Sequence, residues 1–359
     1  MEINMKKILV ILVGGTICTG VDSDGILSVR EDAGVRIVNS FSESDSEIRD
    51  TVRFVLSENL FTLSENVTKE SLNLMIDTYR ENITRDDFDG VIFLHGTDTL
   101  AYTSSLFSII LANTKIPVFF VSAHKRPDLP ESNGNDNFRS AVECICRGIP
   151  ENVYAVYKNI TDNRMYLHLA SRLMQCKNYS DDFYSFGAID ITDIDNDNYR
   201  EYFENLKRKY PNEKKKAFFD ITDNFHITAD ILMVMPYVNI DYSAYDYKRF
   251  SAVLHGTYHS GTACIGAKNE EKSISYLINK CDECGIDAYF SPAKKTGEMY
   301  ETAHLIRCHT AKNGAKLKFL YGTTTETAYA KLMIAYSLKD KIDTEEFLNT
   351  DCNFEFFDS

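Results

Sequence analysis

Two apolar runs that each end in glycine followed by threonine constrain the fold of this chain more than any other feature. Residues 7–13 read Lys-Ile-Leu-Val-Ile-Leu-Val and end in Gly14-Gly15-Thr16-Ile17. Residues 91–94 read Val-Ile-Phe-Leu and end in His95-Gly96-Thr97-Asp98-Thr99. Runs that are apolar at every position, without alternation, read as strands buried on both faces. A helical pattern follows the second run, from Leu100 to Leu111. Hydroxyls and a carboxylate therefore sit where a strand's C-terminal end meets a helix N-terminus. Open α/β sheets bind their ligands in that crevice. A Thr or Asp there also fits an N-cap with no chemical role. The repeat of glycine then threonine at two strand ends points instead to two hydroxyls facing one crevice.

The rest of the chain alternates in the same way. Residues 51–56 predict a strand, and Thr68 is a candidate N-cap for a helix carrying Leu72, Met75, Ile76 and Tyr79. Strand 117–121, a polar loop to Asn137, a helix over 138–146 and strand 153–157 follow. Residues 18–30, rich in Gly, Asp and Ser, read as a mobile loop. Composition shifts between Ile189 and Asn224, where an Asp-rich stretch gives way to a basic one. A second unit then predicts strands at 231–236, 252–254 and 286–290, with helices at 270–281 and a final one at 325–338. Strands alternating with helices imply parallel sheets with right-handed crossovers. The expected fold is α/β, with two doubly wound parallel-sheet domains. The larger is N-terminal (1–200), the smaller C-terminal (227–359), with a linker over 201–226.

Composition narrows the function classes. A net charge of −14 over 359 residues argues against a nucleic-acid surface. No run approaches the ~20 apolar residues of a membrane span, and the N-terminus reads as a core strand rather than a signal peptide. Nine scattered cysteines, an odd number, fit reduced thiols in the cytoplasm. Cys281-Asp282-Glu283-Cys284 is a lone CxxC, read as a helix end. No metal and no cofactor are expected.

Gly14-Gly15-Thr16-Ile17 and His95-Gly96-Thr97-Asp98-Thr99 resemble, in this order and spacing, the two active-site motifs of the bacterial-type L-asparaginases, the asparaginase/glutaminase family. Ala123-His124-Lys125-Arg126-Pro127, then Ser132-Asn133-Gly134 and Asn137, are similar to the loop that follows in that family. Thr324–Leu332 resembles the opening of its C-terminal helix. Lys177-Asn178-Tyr179-Ser180-Asp181-Asp182-Phe183-Tyr184-Ser185-Phe186 fits a pattern of the cytosolic type I members. Two departures stand out. The loop after Thr16 lacks the usual Tyr and has Ile26 after Asp24-Gly25. The Gly-x-Gly-Asn region of the second domain is here His255-Gly256-Thr257-Tyr258-His259-Ser260-Gly261, where His259 or Ser260 stands in for the Asn or is a plain loop residue.

The resemblance implies hydrolysis of L-asparagine to L-aspartate and ammonia. Such chemistry needs a nucleophile, a base, an oxyanion site and a proton for the leaving group. It places Thr16 as nucleophile and Thr97, Lys177 and Asp98 as a proton relay. Lys177 must be neutral to act as base, which calls for partial burial. Ser64 and Glu65, with Thr97 and Asp98, lie where the family binds the ends of the amino acid. Backbone N–H groups near Ala123 are candidates for the oxyanion site. The expected partner is a small amino-acid amide, and the expected assembly a homodimer or homotetramer. Three other readings compete: a glutaminase, a subunit of a tRNA-dependent amidotransferase, and a catalytically silent ligand-binding module. The early position of Gly14 and the acidic charge weigh against the amidotransferase subunit, which in the family carries an extra N-terminal domain.

Overall fold

The computed structural model of the chain describes residues 5–21, 24–30, 32–58, 60, 63–194, 198–295 and 299–357. Among them the chain order is β1 (Lys6–Leu12), β2 (Thr19–Val21), β3 (Leu27–Val29), α1 (Ala33–Ser42), β4 (Val52–Leu56), α2 (Lys69–Arg85) and β5 (Gly90–Leu94). Then come α3 (Leu100–Ile110), β6 (Val118–Val121), α4 (Gly134–Cys146), β7 (Val153–Lys158), β8 (Met165–Leu169), β9 (Leu173–Met174), β10 (Tyr184–Ser185), β11 (Ile189–Asp190) and α5 (Tyr199–Lys209). The remainder is β12 (Ile231–Val234), β13 (Ala252–His255), α6 (Ile274–Cys284), β14 (Asp287–Ala293), α7 (Glu301–Cys308), β15 (Lys318–Tyr321), α8 (Thr325–Ser337) and α9 (Thr344–Asn349). The chain divides into two compact units, residues 1–226 and 227–359.

The first unit is built on a seven-stranded sheet in the order β11-β8-β7-β6-β5-β1-β4. From β4 to β7 all pairings are parallel, while β8 and β11 add antiparallel at one edge. Every residue of β5 is buried, as continuous apolarity requires of a strand covered on both faces. The two faces can be told apart. A side chain at Gly90 would run into Ile145 of α4, whereas Phe93 stacks on Phe120 at 4.7 Å and meets Phe107 of α3 at 4.9 Å. Helices α3 and α4 therefore cover opposite faces. Thr68 caps α2 as expected, its hydroxyl accepting from the Ser71 N–H.

Three expectations change. The loop over 18–30, read as mobile, holds the β2–β3 hairpin, with Ile26 exposed at its turn; residues 22 and 23 lie outside the described residues. Residues 201–226, read as a linker, group with the first unit, and 201–209 of them belong to α5, which buries Phe203 and Leu206. Part of that composition shift, residues 195–197, lies outside the described residues. A short helix, α9, follows the one read as final.

The second unit holds a four-stranded parallel sheet, β12-β13-β14-β15. The CxxC pair closes α6, with Gly285 as its left-handed C-cap, and all nine cysteines are free thiols. The last turn of this unit is tied down by a buried ion pair. The Lys331 ammonium bonds Glu355 Oε1 and the Thr350 carbonyl, both at 2.6 Å, and Glu355 also accepts from the Cys352 and Asn353 N–H groups. No helix among the described residues is long and apolar enough to cross a membrane.

Candidate active site

Strand register sets the site. Leu12 of β1 pairs with Leu94 of β5, and Leu94 with Val121 of β6. The three strands therefore end level, and Gly14–Ile17, His95–Thr99 and Ser122–Pro127 leave the sheet side by side. The chain passes from β1 to β4 on one side, then returns to β5 on the other. The order reverses between β1 and β5, the switch point at which such sheets bind ligands.

At that point two backbones touch. Val13 N–H and Gly14 N–H both donate to the Leu94 carbonyl, at 3.1 and 3.2 Å. Gly15 sits at φ +74°, and a Cβ there would lie 2.1 Å from Gly96 Cα. A Cβ on Gly96 would lie 2.3 Å from Ser64 Oγ. Neither position admits a side chain, so the glycines of the two motifs are in direct contact. Thr16 and Thr97 are the next residues. Both are partly exposed, and neither hydroxyl makes a hydrogen bond among the described residues.

Ser64 and Asp98, expected on the same substrate, are brought together. Ser64 is buried, donates to Asp98 Oδ2 at 3.4 Å and accepts from the Asp98 N–H at 3.3 Å. Thr99 Oγ1 donates to the Ser64 carbonyl at 2.9 Å. Asp98 and Glu65 are exposed. Ala123 is fully buried under Gly134. Its loop is clamped by two asparagines: Asn133 Oδ1 accepts from the His124 N–H at 3.0 Å, and Asn137 donates to the Ser122 carbonyl at 2.9 Å.

Lys177 departs from expectation. It lies exposed in the turn after β9, and its ammonium makes no ion pair among the described residues. The burial that a neutral lysine needs is not formed. Two residues before it, Gln175 is the residue of this segment that meets the second motif. Gln175 Nε2 donates to the Thr97 carbonyl at 3.3 Å. Nothing in the sequence marked Gln175. Cys176 follows it, and burial together with the carboxylates of Asp181, Asp182 and Asp98 pushes its thiol up to about 12.

His95 is buried under the motif. Its Nδ1 lies 2.8 Å from the Gly96 carbonyl, so Nδ1–H is the donor. Burial lowers its pKa to about 4, and the ring is neutral at pH 7. Among the described residues no group of three or more His, Cys, Asp or Glu side chains could hold a metal ion.

Comparison with known proteins follows the same residues. The family description "Asparaginase, N-terminal" matches residues 7–205. The chain is 30% identical over 193 residues to the D-type subunit of the glutamyl-tRNA(Gln) amidotransferase of Thermoplasma acidophilum, which is 53% of this chain and 45% of that protein. It is 27% identical over 167 residues to the corresponding amidotransferase subunit of Thermoplasma volcanium, 46% of this chain and 39% of that protein. The match thus spans less than half the length of these two relatives. Two solved structures share the fold over 98% of this chain. They are the thermostable L-asparaginase from Thermococcus kodakarensis and L-asparaginase I from Vibrio cholerae, each with a TM-score of 0.67, at 18% and 19% identity. The family match covers more than half of the chain, including Thr16, Ser64, Thr97 and Asp98, and the chain belongs to the asparaginase family.

Proposed function

We propose that the chain is an amidohydrolase that converts L-asparagine to L-aspartate and ammonia. The observation that carries this reading is the Gly15–Gly96 backbone contact, which brings the two turns that carry Thr16 and Thr97 together at the switch point, next to the Ser64–Asp98 pair. Thr16 Oγ attacks the side-chain amide carbon. Backbone N–H groups near Ala123 hold the oxyanion, a role that preorganised donors fill well. The C–N bond breaks, ammonia leaves with the proton taken from Thr16, and an ester remains on Thr16. Water then adds to the ester and releases aspartate. Asp98 and Glu65 receive the substrate's ammonium and Ser64 its carboxylate. The Thr97–Lys177–Asp98 relay requires the Lys177 turn to fold inward over bound substrate. Loop closure of this kind commonly completes a catalytic set.

By its likeness to the type I members and its nine free thiols, we place the enzyme in the cytoplasm as a homodimer or homotetramer. A second reading is favoured by the amidotransferase subunits among its relatives: release of ammonia for a tRNA-linked transfer. Ammonia release measured with L-Asn, L-Gln and D-Asn, with no tRNA present, separates the two. Turnover of L-Asn is expected, and Lys177→Met is expected to reduce it at least about a hundredfold without loss of stability. Turnover that requires charged tRNA would favour the second reading. Full activity in Lys177→Met would remove the relay and leave Lys125 as the next candidate base.

A further inference from the structure

His95 and Ser122 hold two polar atoms for which the catalytic reading has no use. Both side chains are 0% exposed. His95 Nε2 and Ser122 Oγ are buried with no hydrogen-bond partner among the described residues. Buried polar side chains are satisfied in the large majority of cases, so two orphans in one place call for an explanation.

Register shows that they are neighbours. Phe93 pairs with Phe120 and Leu94 with Val121, and the next step puts His95 opposite Ser122. The His95 N–H donates to the Val121 carbonyl at 2.9 Å, extending the ladder by that step. Paired residues of parallel strands point to the same face. The stacked rings of Phe93 and Phe120 identify it as the face under α3. With Nδ1–H committed to the Gly96 carbonyl, Nε2 is a pure acceptor. The Ser122 hydroxyl can donate. The two orphans are a complementary pair, one residue before the Gly96-Thr97 turn and one before Ala123.

We propose that His95 and Ser122 are positioning residues, coupled through one buried water between Nε2 and Oγ, that tie the Thr97 turn to the Ala123 loop. A water held by two or more buried polar groups is a regular structural element. The coupling fixes the spacing between the relay hydroxyl and the oxyanion donors. This spacing matters in the transition state more than in substrate binding. The inference rests on the roles of Thr97 and Ala123 in the proposed hydrolysis.

The test pairs a spectroscopic readout with a kinetic one. Ring nitrogen-15 signals of the histidines are recorded in the wild type and in Ser122→Ala, a change of one heavy atom that keeps the backbone. His95 is expected as the Nδ1–H tautomer, with an Nε2 signal that moves in Ser122→Ala while that of His255 stays in place. In the same variant kcat for L-Asn is expected to fall about tenfold, the scale of one lost hydrogen bond, with KM within about twofold. A proton on Nε2 of His95, or an Nε2 signal unmoved in Ser122→Ala, would overturn the coupling. An unchanged kcat with a moved signal would overturn the positioning role. If the wild type hydrolyses no amide, the proposed function falls, and the ring signals still decide whether the pair is coupled.

Discussion

The chain contains the tetrapeptide Leu-His-Gly-Thr twice, at residues 94–97 and 254–257, each time at the C-terminal end of a buried parallel strand. The two copies share a lock. His95 and His255 are both buried, and each Nδ1 bonds the carbonyl of the glycine that follows, at 2.8 and 2.5 Å. They differ in what is left over. In the second unit His255 Nε2 accepts from the Tyr242 hydroxyl at 2.8 Å, and Thr257 Oγ1 donates to the Pro292 carbonyl at 3.2 Å. In the first unit the Thr97 hydroxyl is unbonded and Gly96 is pressed against Gly15. One turn has spent its polar groups on its own structure, and the other has kept them open. Local sequence sets the lock, and the neighbours decide whether the turn is scaffold or site.

The largest expected effect bears on this contrast directly. Thr16→Ala and Thr97→Ala should each lower L-Asn hydrolysis at least about a thousandfold, while Thr257→Ala stays within about threefold of wild type. Steady-state ammonia release on the three variants, with circular dichroism to confirm folding, makes the measurement. An equal loss in Thr257→Ala would mean that the two turns are not divided into site and scaffold.

Next in size is the glycine contrast. Gly15→Ala combines a positive φ with a methyl driven into Gly96 backbone, and should cost roughly 3 kcal/mol or more. A Cβ at Gly256 would meet the Met235 sulfur at 2.5 Å. A flexible thioether can move aside, so Gly256→Ala should cost about 1 kcal/mol. Urea unfolding of both variants checks the difference.

The third contrast is in acid. Burial lowers the pKa of His95 and His255 to about 4 and of His168 to about 3, from an ordinary 6.5. Protonation therefore favours the unfolded chain. The stability these rings contribute is complete above about pH 6.5 and is lost as the pH falls toward 4, by about 1.4 kcal/mol per pH unit for each ring. The first unit holds two such rings and the second one. Hydrogen exchange at pH 7 and pH 5 should show the first unit losing protection faster, and equal losses would count against an acid response set by the number of buried rings.

How much of this could be read beforehand depended on the kind of signal. β1 and β5 were legible because a strand covered on both faces must be apolar throughout. The Gly-Thr ends were legible because close backbone approach restricts both positions to glycine. The family resemblance named Ser64 and Asp98 for the substrate, but their hydrogen bonds to each other join residues 34 positions apart and were not legible. α5 was hidden because only Phe203 and Leu206 are buried along a helix whose other residues are charged, tyrosine or asparagine. β11 was missed because an edge strand of two residues carries little periodicity, and β8 because the polar His168 interrupts its apolar run. Lys177 was placed by pattern, which does not encode the burial of a side chain, and it lies exposed. Gln175 touches the site through a main-chain oxygen, an interaction that leaves no mark in residue type.

The Lys331–Glu355 pair has a consequence for anyone who shortens or fuses this protein. Lys331 is 1% exposed and Glu355 0%, and the carboxylate arrives from the last few residues of the chain. Trimming those residues would not remove a dangling end. It would strand an ammonium inside α8, at a cost of about 3–5 kcal/mol, a sizeable part of what holds a domain of this size together. An expression product clipped before Glu355 should be sought first among aggregates.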